Sequence, residues 1–290
     1  MITVLGSINM DLAVVTASFP EQGETVLGNE FATIPGGKGA NQAIACAKLG
    51  SNVQFIGCLG RDRFGEQLVS NLQSHRVNTA GIQFVDAPTG IANILIHNND
   101  NRIIVVPGAN AKVTKQQIDE HWHMIEKSKI VIMQLEISKD VVAYAIQKCS
   151  ESNIDVLLNP APAQHFSLEW MEYVTYITPN EYECQQIFQR PYEQVVAEYP
   201  NKVIVTLGDK GACYHDGKNL VVVNGYHTEV VDTTGAGDTF NGALAHALTQ
   251  NYTLTDAVYL ANIAASLSVE KFGAQGGMPT FDQVQQRLNK

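Results

Sequence analysis

PGGKGANQAIACAKLGSNVQFIG, residues 35–57, holds a helix-like run and a strand-like run on either side of one glycine stop. Residues 39–50 space their apolar side chains as a helix does and end at Gly50, a residue type that closes helices. Residues 53–57 then read as a short buried strand. The same alternation continues along the chain. Strand-like runs fall at 2–6, 130–134, 154–159, 173–178 and 202–208, and helix-like runs at 64–75, 141–152, 242–250 and 256–272. Short β-branched runs bounded by Gly, Pro or Asn and separated by helices predict βαβ units. The expected fold class is therefore α/β, a doubly wound, mainly parallel sheet with helices on both faces. Residues 11–34 and 81–106 break the rhythm. They read as consecutive strands joined by turns, HNNDNR (97–102) being one, since Asn and Asp tolerate left-handed backbone. A small antiparallel sheet is expected there, either as a lid over the carboxyl ends of the main sheet or as an oligomer interface. Residues 1–290 read as one domain, with no linker, repeat or low-complexity segment.

Composition narrows the function classes. Apolar residues make up 45% of 290, enough for a sizeable core without staples. A net charge of −10 argues against nucleic acid as a partner, because phosphate backbones call for basic faces. Any anionic substrate must then be drawn in by local features. The five cysteines form no C-x-x-C pair, which suggests inert thiols of a reducing compartment. The N-terminus lacks a basic region, and no run of about 18 apolar residues occurs anywhere. The expected location is cytoplasmic, with no membrane association.

In open α/β sheets ligands gather outside the carboxyl ends of the strands. The segments following the expected strands are GSINMD (6–11), Gln134-Leu135-Glu136, Asn159-Pro160-Ala161-Pro162, Thr178-Pro179-Asn180-Glu181-Tyr182-Glu183 and Gly208-Asp209-Lys210-Gly211. One polar, turn-forming tip is ordinary; five together are better explained by a site. DTTGAGDTFNGAL (232–244) fits the same picture. If Gly235-Ala236-Gly237 opens a helix, its free N–H groups form an anion cradle. Asp238, in the first turn, reads equally as a general base for a substrate hydroxyl or as a plain helix cap. Asp232 reads as a cation ligand or as an Asx-turn former. The second glycine cluster, at 36–39, is neither a G-x-x-x-x-G-K-[ST] loop nor G-x-G-x-x-G.

GSINMD, GGKGANQA, LNPAPA, TPNEYE, TLGDKGA and DTTGAGDTFNGAL, in this order, closely resemble the PfkB sugar kinases, with the best match to the ribokinases among them. The resemblance runs from Gly6 to about Pro279 and implies a ribokinase-like fold. It implies that Asn9, Asp11, Gly37, Lys38, Asn41 and Glu136 meet the sugar hydroxyls, with Met10, Gly39 and Ala40 beside them. It makes Asp238 the base and Gly235, Ala236 and Gly237 the anion hole. Asn180, Thr206, Leu207, Gly208, Asp209, Lys210, Gly211, Gly237 and Asn262 would line ATP, and Glu183 would hold Mg²⁺ through water. Asp232, Thr234, Ser268, Lys271, Gly273 and Gly277 match a loop for a monovalent cation, K⁺. Gly277 stands where relatives often carry Ser, and residues 184–201 look short. The implied activity is ATP-dependent phosphorylation of D-ribose at its 5-hydroxyl, with a homodimer formed through the lid. A kinase of deoxyribose, fructose or adenosine, or a sugar sensor without the chemistry, are the alternatives.

Overall fold

The structure is a computed structural model and describes residues 1–98 and 100–289. Its strands are β1 (Ile2–Leu5), β2 (Asn9–Thr16), β3 (Gly28–Gly36), β4 (Val53–Gly60), β5 (Asn78–Val85), β6 (Gly90–His97) and β7 (Asp100–Val106). They continue with β8 (Ile130–Met133), β9 (Asp155–Leu158), β10 (Tyr176–Ile177), β11 (Val205–Thr206), β12 (Gly211–His215) and β13 (Leu220–Asn224). The helices are α1 (Lys38–Lys48), α2 (Arg63–Ser74), α3 (Lys115–Glu120), α4 (Trp122–Ile125), α5 (Lys139–Glu151) and α6 (Glu181–Phe188). After them come α7 (Tyr192–Glu198), α8 (Ala236–Thr249), α9 (Leu254–Ser268), α10 (Ala274–Gly277) and α11 (Phe281–Leu288).

Six parallel strands form the main sheet in the order β10-β9-β8-β1-β4-β5. Alternate residues of each strand feed two separate cores. Ile2, Val4, Ile130 and Ile132 pack with α1, α2, α8 and α9, while Leu5, Val131, Met133 and Val156 pack with α3, α5, α6 and α7. That two-sided burial is the period-2 geometry of a strand covered on both faces. From β1 the chain winds outward through β4 and β5, then returns to add β8, β9 and β10 on the other side. The order reverses between β1 and β8, which is where an open sheet of this kind splits to admit a ligand. Beyond β10, Ile177 makes a single parallel bridge to Val203, and Asn180 one to Thr206, joining the antiparallel set β11-β12-β13.

The second sheet runs β3-β2-β6-β7. Its outer pairs are antiparallel, as expected, and its central pair β2–β6 is parallel. The stretch 81–85, expected in this sheet, instead pairs with β4 at the edge of the main sheet. Its alternating pattern is the same for either partner, so only the following turn, residues 86–89, decides where the chain crosses over. Asn99 of the expected 97–102 turn lies outside the described residues. Residues 173–175 are not strand: Val174 N–H bonds back to the Trp170 carbonyl at the end of a 3₁₀ turn. The helix expected to reach Phe272 stops at Ser268. There the Val269 carbonyl turns to accept from the Val231 and Asp232 N–H groups, so the next residues leave the helix to build a loop. Among the described residues no helix is long and apolar enough to cross a membrane. All five cysteines are buried and unpaired, and burial pushes their thiols up, that of Cys58 to about 11.

Candidate active site

Three chain segments meet at the β1/β8 switch point. β2 starts four residues after β1 ends, so Asn9, its first residue, stands over the carboxyl end of the main sheet. Asn9 is paired in register with Gly36 on one side and Gly90 on the other. α1 begins at Lys38, directly after Gly37, whose φ of 89° belongs to the left-handed region that glycine tolerates. A Cβ on Gly37 would lie 2.7 Å from the Asn9 nitrogen, and one on Gly36 would lie 2.3 Å from the Asp11 carboxylate. The glycines thus let the helix start pass under β2 and leave room for Asp11. Glu136, two residues after the Gln134 that follows β8, accepts from the Ser7 hydroxyl and from Lys38 N–H at 3.2 Å. Asn9 Oδ1 accepts from Asn110 Nδ2 at 2.7 Å, while Asn110 Oδ1 takes the Ile8 N–H at 2.9 Å. Asn110 is 1% exposed and fixes which way Asn9 points; it lies in the 3₁₀ turn after β7 and belongs to none of the motifs above.

Asp238 sits in the first turn of α8, whose N-cap Gly235 is left-handed (φ 79°). No side chain caps this helix and Asp238 does not fold back onto it, so the plain-cap reading fails here. Its carboxylate faces inward and is 7% exposed. One oxygen accepts from Asn41 Nδ2 at 2.9 Å and the other from Gln42 Nε2 at 3.0 Å. Gln42 is held by Gln134 Nε2 at 2.6 Å, and the Gln134 Oε1 is left buried without a partner. Turning that nitrogen toward Gln42 therefore has a desolvation cost. Burial pushes the Asp238 carboxyl up, against the pull of Lys38 and the two amide donors; Glu136 adds to the rise. Burial works against the Lys38 ammonium too, yet Asp238, Glu136 and Glu183 around it hold its pKa above the usual value. Asp11 is half-buried, and desolvation with the nearby Glu136 and Asp238 charges raises its carboxyl to about 7.

A cavity of about 220 Å³ opens in front of these groups. Lys38, Asn180, Glu183, Thr206, Gly235, Gly237 and Asp238 line it, and so do Asn159, Ala161, Thr178 and Asn241. A Cβ on Gly237 would meet nothing within 4 Å, so this face of the helix start is open to an approaching group. Behind it, Asn241 Nδ2 donates to the Gly237 carbonyl at 2.8 Å and Asn241 Oδ1 accepts from Thr178. Asn241 was missed because its role depends on a strand tip 63 residues away. Asn180 and Glu183 form a capping box on α6, each side chain taking the other's backbone N–H. Both are hard oxygen donors at the cavity edge, a set that suits Mg²⁺.

Elsewhere the candidates divide. Met10, Ala40 and Leu207 put their side chains into the cores, leaving only backbone to a ligand. Gly39 allows close packing on Ser7, whose nitrogen would be 2.6 Å from an added Cβ. Gly208, Asp209 and Lys210 form a surface turn before Gly211. Asn262 does not face the cavity: its amide donates to the Val223 and Asn224 carbonyls and ties α9 to β13. Asp232 behaves as an Asx-turn, accepting from Thr234 N–H and hydroxyl, and its second oxygen accepts from Gly273 N–H at 2.9 Å. These donors hold its carboxyl below the usual range although partial burial works the other way. Ser268 bonds its own helix, so toward the loop it offers its carbonyl. A Cβ on Gly277 would lie 1.8 Å from that carbonyl oxygen, so a serine has no room in this loop conformation. No cluster of three or more His, Cys, Asp or Glu occurs among the described residues.

Residues 1–281 match the family model for pfkB family carbohydrate kinases. The chain belongs to the pfkB family. Within this family of kinases it is 46% identical over 291 residues to the ribokinase of Lactococcus lactis, covering 100% of this chain and 97% of that one. Its fold is similar to that of the Thermotoga maritima ribokinase, with a TM-score of 0.92, 35% identity and coverage of 100% and 99%. It is also similar to the Arabidopsis thaliana ribokinase complexed with ribose and ATP, with a TM-score of 0.91, 30% identity and coverage of 100% and 98%. The pfkB assignment makes the cavity between Lys38, Gly237 and Asp238 the candidate place of phosphoryl transfer to a carbohydrate.

Proposed function

We propose that this chain is a ribokinase, transferring the terminal phosphoryl group of ATP to the 5-hydroxyl of D-ribose. The observation that carries the reading is the buried Asp238 carboxylate, held by a donor on each oxygen at the mouth of an open helix start. Support for the sugar and the donor comes from the L. lactis relative, a ribokinase, and from the A. thaliana ribokinase complexed with ribose and ATP.

The mechanism follows from the residues. Asn9, Asp11, Lys38, Asn41 and Glu136 hold the ring hydroxyls; a carboxylate suits a vicinal diol because it accepts two O–H bonds. Asp11 and Asn9 favour ribose over 2-deoxyribose, since an acceptor placed for the 2-hydroxyl is left unpaired without it. The 5-hydroxyl donates to Asp238. As the new O–P bond forms and the bond to the leaving phosphate oxygen breaks, the hydroxyl proton passes to Asp238. The Gly235 and Gly237 N–H groups and the Lys38 ammonium face the charge on the transferring oxygens, whereas the Ala236 N–H donates to the Thr233 carbonyl at 3.2 Å. Asn180 and Glu183 would hold Mg²⁺ through water, and the ion would supply further charge neutralisation on the phosphates. Thr206, the 208–211 turn and the backbone at Leu207 take the nucleotide. Asp232 and Thr234, with Ser268, Lys271, Gly273 and Gly277, would hold K⁺, which would fix the shape of the helix start.

The second sheet acts as a lid that excludes water and as a dimerisation face. Phe31 (65% exposed), Ile103 (53%) and Ile104 (62%) leave apolar surface on it, which a second copy would cover. The protein works in the cytoplasm as a homodimer. ADP release with Mg-ATP tests the reading, using D-ribose, 2-deoxyribose, D-fructose, adenosine and no sugar, each with and without K⁺. Ribose-dependent release stimulated by K⁺ is expected. Release with another sugar alone would overturn the roles of Asn9 and Asp11, and no release above the blank would overturn the function.

A further inference from the structure

Three consecutive residues of the cation loop reach three positions of the DTTGAGD segment, each three apart, two of them directly and the third through another side chain. Gly273 N–H donates to Asp232. Ala274 packs on Gly235 so closely that a Cβ there would lie 2.8 Å from the Ala274 Cα. Gln275, 9% exposed, reaches Asp238 through Asn41. This last path is a chain of amides that all point one way. Asn71 Nδ2 donates to Gln275 Oε1 at 2.8 Å, Gln275 Nε2 to Asn41 Oδ1 at 2.9 Å, and Asn41 Nδ2 to Asp238 Oδ2 at 2.9 Å. Lys48 Nζ anchors the segment by donating to the Gln275 and Met278 carbonyls at 2.9 and 3.0 Å.

We propose that Gln275 is a positioning residue for phosphoryl transfer, fixing the Asn41 amide so that it presents its N–H, not its carbonyl, to Asp238. An amide is nearly symmetric in shape, and its neighbours alone decide which end faces the carboxylate. Without the Gln275 donor, Asn41 can rotate and set an oxygen against the carboxylate. Asp238 then loses one of two donors that favour its charged form. The inference rests on Asp238 being the base, and it gives the 273–275 segment a hold on that base, through Asn41, as well as on the anion cradle.

The test compares Gln275→Met, which keeps length and removes the donor, with Gln275→Glu and Asn71→Ala in the full-length protein. Lys38 from α1, Glu136 after β8, Asp11 on β2 and Glu183 on α6 also face Asp238 and stay in place in all three. For Gln275→Met, kcat should fall roughly tenfold or more while KM for ATP holds. The acid limb of the kcat–pH profile should move to higher pH, because losing a donor raises the pKa of the base. Gln275→Glu, which cannot donate to Asn41, should lose at least as much, and Asn71→Ala should shift the same way by less. Wild-type kcat and an unmoved profile in Gln275→Met or Gln275→Glu would overturn the proposal, as would a kcat loss without the profile shift. Wild-type protein run alongside separates the cases: failure of its own ribose-dependent ADP release refutes the function, whereas an active wild type with indifferent variants refutes only the role of Gln275.

Discussion

Asp238→Asn keeps the shape of the base and removes its chemistry. The carboxylate takes one amide donor on each oxygen, Asn41 at 2.9 Å and Gln42 at 3.0 Å. An asparagine offers an oxygen to only one of them; its NH₂ must face the other N–H. Relief by turning Asn41 breaks its bond from Gln275, and relief by turning Gln42 breaks its bond from Gln134. The lost bond and its unpaired partner cost about 1–3 kcal/mol. Against this, a charge no longer has to be buried, so the two terms oppose and the melting temperature should move by no more than about 5 °C. Catalysis has no such compensation. Losing a general base removes roughly 10²–10⁴ in rate, or about 3–5 kcal/mol of barrier. Coupled-enzyme measurement of ADP release should therefore show kcat down at least a hundredfold, while calorimetric titration should find ribose bound within about tenfold of the wild-type affinity. Turnover within tenfold of wild type would refute the assignment of Asp238 as base. Lost ribose binding in a folded protein would refute the expectation that Asp238 serves the chemistry and not the binding of the sugar.

Asp11, raised to about 7, keeps a proton in the folded chain that the unfolded chain gives up near 4. The unfolded state therefore binds fewer protons across pH 4–7, and the contribution of Asp11 to stability falls as pH rises through that window. Asp11→Asn should then gain stability over wild type at pH 8, by at most about 4 kcal/mol, and show no gain at pH 4; equal melting shifts at both pH values would contradict this. For the same reason ribose KM in the wild type should rise as pH drops below about 7, where the diol acceptor becomes protonated, and a flat KM from pH 6 to 8 would count against Asp11 as acceptor. Gly235→Ala puts a side chain on left-handed backbone, costing about 1–2 kcal/mol, and drives a Cβ to 2.7 Å from that of Ala274. Its kcat should collapse with ribose affinity preserved, and near-normal kcat would show that the cradle does not need this turn. Ile104→Glu places a charge on the exposed face of the second sheet and should yield a monomer by light scattering; an unchanged dimer would move the interface elsewhere.

Much of the fold and part of the site could be read locally. The glycine clusters at 36–39 and 235–237 and the polar strand tips carry their geometry in consecutive residues, and the structure brings Lys38, Asn180, Glu183, Thr206, Gly235, Gly237 and Asp238 to one cavity. What escaped is non-local. Asn110 and Gln275 act through partners 101 and 234 residues away, and their own neighbours look like ordinary loop. The 81–85 strand escaped for a related reason, since pattern fixes which face is buried but not which sheet is joined. The apolar run to Phe272 looked helical throughout, and only the demand of the 231–232 N–H groups for the Val269 carbonyl ends the helix early.

The second sheet is rooted beside the start of α1. β2 starts at Asn9, β3 ends at Gly36 one residue before α1 begins its N-cap, and β6 starts at Gly90 against Asn9. β2 is eight residues long, a lever arm of roughly 26 Å at 3.3 Å per residue. A tilt of about 10° at the root would sweep its far tip through roughly 4–5 Å, and it would do so by turning Asn9 and Asp11. The proposed sugar contacts and the fulcrum are thus the same few residues, so any torque from a sugar held there would be applied at the short end of the arm and read out, magnified, at the tip.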